Sequence, residues 1–389
     1  MRLPGWRRGK PRFVRPAPGY AGAVQTIGPL GDPFPNVARI AVLRGGGLGD
    51  LLMALPAIEA LDHAYPDAEI VLLGAPAHAA LLRDRPGPVD SVAPLPRAEG
   101  VHGLGGTDDA AVARFFAELG PVDLGVQVHG GGRWSNPFLL RAAPTWTVGS
   151  RTDDAAALTR WLPFRYFQHE TMRALEVAGL AGAAPTMVQA SLSVTERDLD
   201  AAAAALGPRE RPLVAIHPGA TDPRRRWPAR RFGEVAATAA KTADVVVVGA
   251  ADDAALGAEI VNAVPAAPRG RVVSVAGELS LPALVGVLAS ASVMVANDSG
   301  PRHIAQAVGT PTVSVYWMGN VINAGPPGRH DHRVHISWTA HCPVCQVSCT
   351  RQDIPRCPHD VSFVDEVTVD EIADDVLDLL DRAEELECA

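Results

Sequence analysis

The stretch RIAVLRGGGLGDLLMALPAIEAL, residues 39–61, joins two patterns through a glycine turn. Residues 39–44 form a short apolar, β-branched run that reads as a strand. Residues 51–64, LLMALPAIEALDHA, carry apolar side chains at helical spacing. A strand running into a helix in this way is the opening unit of a parallel α/β sheet. Glycine-rich joints of this kind often cradle phosphate, but both standard templates fail. The G-x-x-x-x-G-K-[ST] loop, counted from Gly45, meets Asp50 where glycine is needed, and no lysine follows. The G-x-G-x-x-G fingerprint needs glycine at 50 or at 52, which is Leu52, so a nicotinamide-dependent oxidoreductase is disfavoured. Asp50 itself has two readings. It is a cap for the helix at 51–64, or a carboxylate facing a cleft as a general base.

The strand–helix rhythm continues outward from this joint. Strands are expected at 69–74 and 122–130, and helices at 77–84 and 169–180. A second series follows, with strands at 212–219, 244–250, 293–298 and 310–317. Helices at 228–242, 280–291 and 300–309 alternate with them, and an acidic helix closes the chain over 366–386. The run DVVVVGA is apolar throughout, as a strand covered on both faces should be. Two such series predict two doubly wound α/β domains, divided near 181–193. The expected division is a basic, flexible N-terminal arm over 1–36, a first domain over 37–185 and a second over 186–389.

A chain of 389 residues with 47% hydrophobic and 20% charged residues has ample material for two cores. The net charge of −8 argues against a nucleic-acid binder. No run of about 18 apolar residues suggests a membrane span, and the basic start lacks the apolar core of a secretory signal. A cytoplasmic protein is expected. The basic arm is read either as a peripheral contact to the inner membrane face or as a free tail.

Anion chemistry concentrates in the second series. HPGATDPRRRWPARRF places Arg224, Arg225 and Arg226 after a strand end, and arginine forks match phosphate oxygens. NDSGPRHIAQAVG places Asp298, Ser299 and Gly300 at a helix start, with His303 one turn in. Such a helix start attracts anions. The plain alternatives are a solvated basic loop and an ordinary capped helix. Ligands of open α/β sheets bind beyond the strands' carboxyl ends, which is where all these segments lie.

Four of the five cysteines, Cys342, Cys345, Cys349 and Cys357, fall within 16 positions and are flanked by His341 and His359. The segment 341–359 reads either as a structural metal site, zinc first, or as reduced thiols.

Three stretches together resemble the lipopolysaccharide heptosyltransferases of glycosyltransferase family 9. They are VLRGGGLGDLLMALPAIEAL, HPGATDPRRRWPARRF and NDSGPRHIAQAVGTPTVSVYW, with weaker agreement at 123–133 and 169–180. The resemblance covers about residues 37–380. It implies a GT-B fold, two Rossmann-like domains facing across a cleft. The acceptor would bind the first domain and a nucleotide-diphosphate sugar, ADP-heptose, the second. It implies inverting transfer with no cofactor required for catalysis, and a glycan, glycolipid or small-molecule acceptor. Asp50 falls on the family's general base, and Arg225 on its phosphate-contacting lysine, with Arg226 beside it. Asp298, Ser299, Gly300 and His303 fall on its donor contacts. Gly47, Gly49, His129 and Arg133 lie on the acceptor side. The chain departs from the family at GGGLGD, where hydroxyl residues are usual, and at Tyr316-Trp317 after the strand. A ribose contact is expected from Asp252 or Asp253. A nucleotide-sugar epimerase of the same architecture and a silent nucleotide-sugar binder are the competing readings.

Overall fold

The computed structural model describes residues 27–265, 271–351 and 354–388. The first half runs β1 (Arg39–Arg44), α1 (Leu48–Ala64), β2 (Glu69–Gly74), α2 (Pro76–Leu82), β3 (Ser91–Pro94) and α3 (Asp109–Leu119). It continues with β4 (Leu124–Gln127), α4 (Ser135–Leu140), β5 (Trp146–Arg151), β6 (Arg160–Pro163) and α5 (Glu170–Leu180). The second half runs α6 (Glu196–Leu206), β7 (Leu213–His217), α7 (Ala229–Ala239), β8 (Asp244–Val247), α8 (Ala254–Ala263) and β9 (Val272–Ser274). Then come α9 (Leu281–Ala289), β10 (Val293–Asn297), α10 (Gly300–Ala307), β11 (Thr312–Trp317), α11 (Met318–Ala324), β12 (His332–Ser337) and α12 (Val369–Cys388).

Each half builds one six-stranded sheet, in the orders β3-β2-β1-β4-β5-β6 and β12-β11-β10-β7-β8-β9. Every pairing is parallel. Renumbered within its own half, the second order is the mirror listing of the first. Both are the doubly wound arrangement, in which the chain reverses direction between the first and fourth strands. That reversal opens a crevice beyond the carboxyl ends of β1 and β4, and another beyond β7 and β10. The glycine turn leaves β1, and the Asp298 segment leaves β10.

The central strands are apolar because helices cover both faces. Ile40, Val42, Val246 and Met294 are buried with residues of α1, α5 and α9. Ile372, Val376, Leu379 and Leu380 of α12 close the far face of the second sheet against Phe232 and Val313.

Between α5 and α6 the chain crosses from one half to the other without a helix or strand. Polar contacts tie the halves together near this crossing, among them those made by the side chains of Arg85 and His169. Arg85 grips Asp198 at the start of α6 through bonds of 2.7 and 3.0 Å, with both side chains buried. The His169 Nε2–H donates to the Gly325 carbonyl across 2.7 Å. Of the segment expected as a basic arm, residues 27–36 pack on the first half. Phe34 is buried and stacks on Trp146 with ring centroids 4.9 Å apart, and its N–H donates to the Tyr65 hydroxyl. The remainder of that arm, including the membrane contact read from it, lies outside the described residues. Among the described residues no helix is long and apolar enough to cross a membrane.

Candidate active site

Helix α1 begins at Leu48, three residues earlier than the periodicity predicts, so its N-cap is Gly47 and not Asp50. Asp50 is the third helical residue. Its Oδ2 reaches back to accept the Gly47 N–H at 2.8 Å, the carboxylate half of a capping box. Its Oδ1 accepts from Arg44 Nη2 at 2.7 Å, and Arg44 Nε also holds the Asp50 carbonyl. Arg44 is buried, whereas the Asp50 side chain is 47% exposed toward the cleft. Arg44 is shared with Glu170 on α5, which Arg173 pairs from the other side. The cap and the cleft carboxylate are therefore one arrangement rather than alternatives.

The turn is held by side chains far away in sequence. The His78 Nε2–H donates to the Gly47 carbonyl at 2.9 Å, and His129 Nδ1 accepts the Gly45 N–H at 3.2 Å. Burial lowers the pKa of both imidazoles, and His129 is further lowered by nearby Arg44. Both therefore serve as neutral rings, each with one donor and one acceptor nitrogen. Gly46 has φ +87°, and a Cβ there would stand 2.4 Å from Asp50 Oδ2. Gly46 is thus required for the carboxylate to fold back over the turn, whereas Gly45 makes room for the Val101 carbonyl and a Cβ on Gly47 would meet only ordinary contact.

Across the cleft, Asp298 is buried at the end of β10. Its Oδ2 accepts from Arg225 at 3.0 Å and from Asn320 at 2.9 Å, and its Oδ1 from the His303 Nε2–H at 3.1 Å. Burial alone would raise its pKa, but the His303 hydrogen bond and the Arg225 and Arg302 charges hold it below the ordinary value. Burial lowers that of His303, whose Nδ1 accepts from Arg302 at 3.1 Å. Asp298 lines the cleft itself and also orients Arg225 beside it.

Ser299 caps α10 by position, yet its hydroxyl bonds His217 Nδ1 at 2.9 Å, and His217 Nε2 stands 3.4 Å from Asp253. Of the two aspartates open as a ribose contact, Asp253 is the one turned inward. Its carboxylate accepts the Ala250 N–H, and a Cβ on Gly219 would meet it at 2.3 Å. The hydrogen bond from His217 holds its pKa below the usual range. His217 was not singled out from the sequence; its place at the end of β7, beside the crevice, is the signal that marks it.

The three arginines separate by the geometry of a 3-10 turn over Pro223–Arg225. Arg224 is bound by Asp222 at 2.5 Å, and despite burial that pairing pulls the Asp222 carboxyl down to about 2. Arg226 Nε is tied to the Ala220 carbonyl at 2.8 Å and does not line the cleft. Arg225 alone of the three lines a cleft of about 530 Å³ together with Gly47, Gly49, Asp50, Ser299, Gly300 and His303. His129 and Arg133 are not part of that cleft. They line a separate hollow of about 330 Å³, where Arg133 lies over the Trp134 ring and faces Asp154 at 3.5 Å.

The cysteines divide differently from the expected four. Cys342, Cys345, Cys357 and His359 place their ligand atoms within 4.8 Å of one another. Cys349 stands apart and lines a second cavity of about 640 Å³ that also contains Arg225.

The profile of glycosyltransferase family 9 (heptosyltransferase) matches residues 140–352. Lipooligosaccharide heptosyltransferase 2 of Haemophilus influenzae is 34% identical over 133 residues, which span 34% of this chain and 38% of that relative. The structure of a family 9 glycosyl transferase from Veillonella parvula superposes with TM-score 0.70 at 18% identity, over 88% of this chain and 97% of that one. The E. coli ADP-heptose lps heptosyltransferase II gives 0.68 at 20% identity, over 89% and 99%. These superpositions place the two sheets in the GT-B fold. With more than half of its length matched by the family profile, the chain belongs to glycosyltransferase family 9, the heptosyltransferase family.

Proposed function

We propose that the protein transfers a heptose-like sugar from a nucleotide-diphosphate donor, ADP-heptose, to a hydroxyl of a glycan, glycolipid or small-molecule acceptor, with inversion at the anomeric carbon. The observation that carries this reading is the shared cleft: a fixed, half-exposed carboxylate on one wall, and a cation with a helix start on the other. The E. coli neighbour is an ADP-heptose lps heptosyltransferase, which supports the choice of donor.

Asp50 has about four lone-pair positions, of which Arg44 and the Gly47 N–H occupy two. A remaining one accepts the acceptor's hydroxyl proton as that oxygen attacks the anomeric carbon. The bond from that carbon to the phosphate oxygen breaks, and the diphosphate leaves with the electron pair. Its growing charge is met by Arg225 and by the free N–H groups at the start of α10, which act most strongly in the transition state. The acceptor lies in the first domain and the nucleotide in the second, with Asp253 and His217 near the ribose. Asp50, Glu170 and Asp298 are each already paired with an arginine. This supports a reaction in which guanidinium charge, and not a bound divalent ion, neutralises the leaving group.

The test is a screen of ADP-, GDP- and UDP-sugars by thermal shift, followed by turnover with the best donor. Stabilisation by ADP-heptose above the others is expected. A clear preference for GDP- or UDP-sugars overturns the donor, and epimerised donor without acceptor overturns the reaction.

A further inference from the structure

The segment between β12 and α12 has little apolar interior of its own. Among the described residues its buried cluster is Cys342, Cys357 and Phe363, with Trp317, Val347 and Cys349 beside it. A strap of this length is hard to hold by so small a core, since ordering each residue costs about 1–2 kcal/mol of backbone entropy. Three thiols and an imidazole converge within it, and no disulfide joins them. Cys342 Sγ and His359 Nδ1 are 3.7 Å apart. A tetrahedral zinc with Zn–S of about 2.3 Å and Zn–N of about 2.0 Å requires a sulfur–nitrogen edge of about 3.5 Å. Around the Cys342–Cys345 step the backbone turns sharply. The Cys342 carbonyl accepts the Gln346 N–H, Gln346 has φ +59°, and the Cys342 N–H donates to the Val347 carbonyl. Cys349 is excluded, its Sγ instead lying 3.5 Å from the Val347 carbonyl.

We infer that Cys342, Cys345, Cys357 and His359 bind one structural Zn²⁺, and that this ion fixes the strap that sets the backbone on both sides of Arg225. The strap reaches the arginine turn at two points. The Phe363 N–H donates to the Arg224 carbonyl at 2.7 Å, and the Ser362 hydroxyl donates to the Arg226 carbonyl at 2.7 Å. Arg224 lies over the Phe363 ring, 5.3 Å from its centroid. At its other end the strap is tied to β11, where the Trp317 indole donates to the Thr339 carbonyl at 2.7 Å. Strap and arginine turn are thus linked by one backbone and one side-chain hydrogen bond, and Cys349 and Phe363 of the strap line the same cavity as Arg225. The second half of the inference rests on the proposed role of Arg225; the metal site does not.

The test is elemental analysis of the full-length protein, with X-ray absorption at the zinc edge. One zinc per chain with three sulfur ligands and one nitrogen is expected. Cys349→Ser and His359→Cys should keep the ion, and Cys345→Ser and His359→Ala should lose it. Stripping zinc with a chelator should speed proteolysis within 338–363 at least tenfold and lower kcat/KM for the donor at least tenfold, with kcat itself falling. Absence of stoichiometric metal after zinc supplementation, iron in its place, or loss of the ion in Cys349→Ser with retention in His359→Ala overturns the site. Zinc present but chelation without effect on proteolysis overturns its structural role. Unchanged kcat and kcat/KM with accelerated proteolysis overturns the link to Arg225 while leaving the metal site standing.

Discussion

Gly49 of α1 lies against His303 of α10 so closely that a Cβ on the glycine would stand 2.8 Å from His303 Cδ2. This contact brings the first turn of α1, which carries Asp50, to α10, whose His303 hydrogen-bonds Asp298, across the line between the two halves. His303 is buried and bonded on both ring nitrogens, so it has nowhere to retreat. Gly49→Ala is therefore expected to cost about 1–3 kcal/mol of stability by overpacking. It should also lower kcat/KM by about 100-fold through misplacement of the two walls. Calorimetry and steady-state kinetics on the variant check both.

Of the arginine run, only Arg225 is oriented into the cleft, by Asp298. Arg225→Ala should lower kcat/KM by about 10²–10³-fold, the usual effect of removing one donor from a charge-stabilising site. Arg225→Lys should restore part of it, because the charge remains and the fork is lost. Arg226→Ala should be milder than Arg225→Ala, because its guanidinium supports the Ala220 carbonyl. Kinetics of the three variants with varied donor distinguish these positions.

Stability should fall on mild acidification. Burial lowers the pKa of His78, His129, His169 and His303, and it lowers His332 from 6.5 to about 4, with Arg302 adding to the shift. These rings are neutral when folded, but the unfolded chain protonates them below about pH 6.5, so unfolding takes up protons in that window. The melting temperature should hold above about pH 7 and drop progressively from about pH 6.5 toward 4. His332→Asn, which can keep a bond to Thr312 Oγ1, should flatten that slope. Melting curves across this range measure it.

The parts of the fold legible in the sequence are those whose chemistry repeats locally. The central strands β1, β2, β7, β8, β10 and β11 are apolar runs bounded by turns, α5 and α10 carry helical spacing, and α1 is an apolar run too long for a strand. The edge strands β6 (RWLP) and β9 (VVS) are short, and β6 and β12 (HRVHIS) mix charge with apolar residues, so no period marks them. At the site, the segments were legible and the roles within them were not. Arg224, Arg225 and Arg226 are one residue type in a row, and only the 3-10 turn separates them. The supports of the glycine turn, His78 and His129, are 31 and 84 positions from the atoms they hold. The choice of His359 over Cys349 depends on how the chain returns between Cys345 and Cys357, which spacing does not encode.

The central claim is that Asp50 takes the acceptor's proton. Its most direct test is Asp50→Ala, assayed for kcat with donor and acceptor saturating and for donor affinity by calorimetry. Loss of a general base should lower kcat by about 10²–10⁴-fold, while the donor Kd stays within twofold, because the donor's charged groups meet Arg225 and α10. A kcat within a few-fold of the unmodified protein would contradict the assignment.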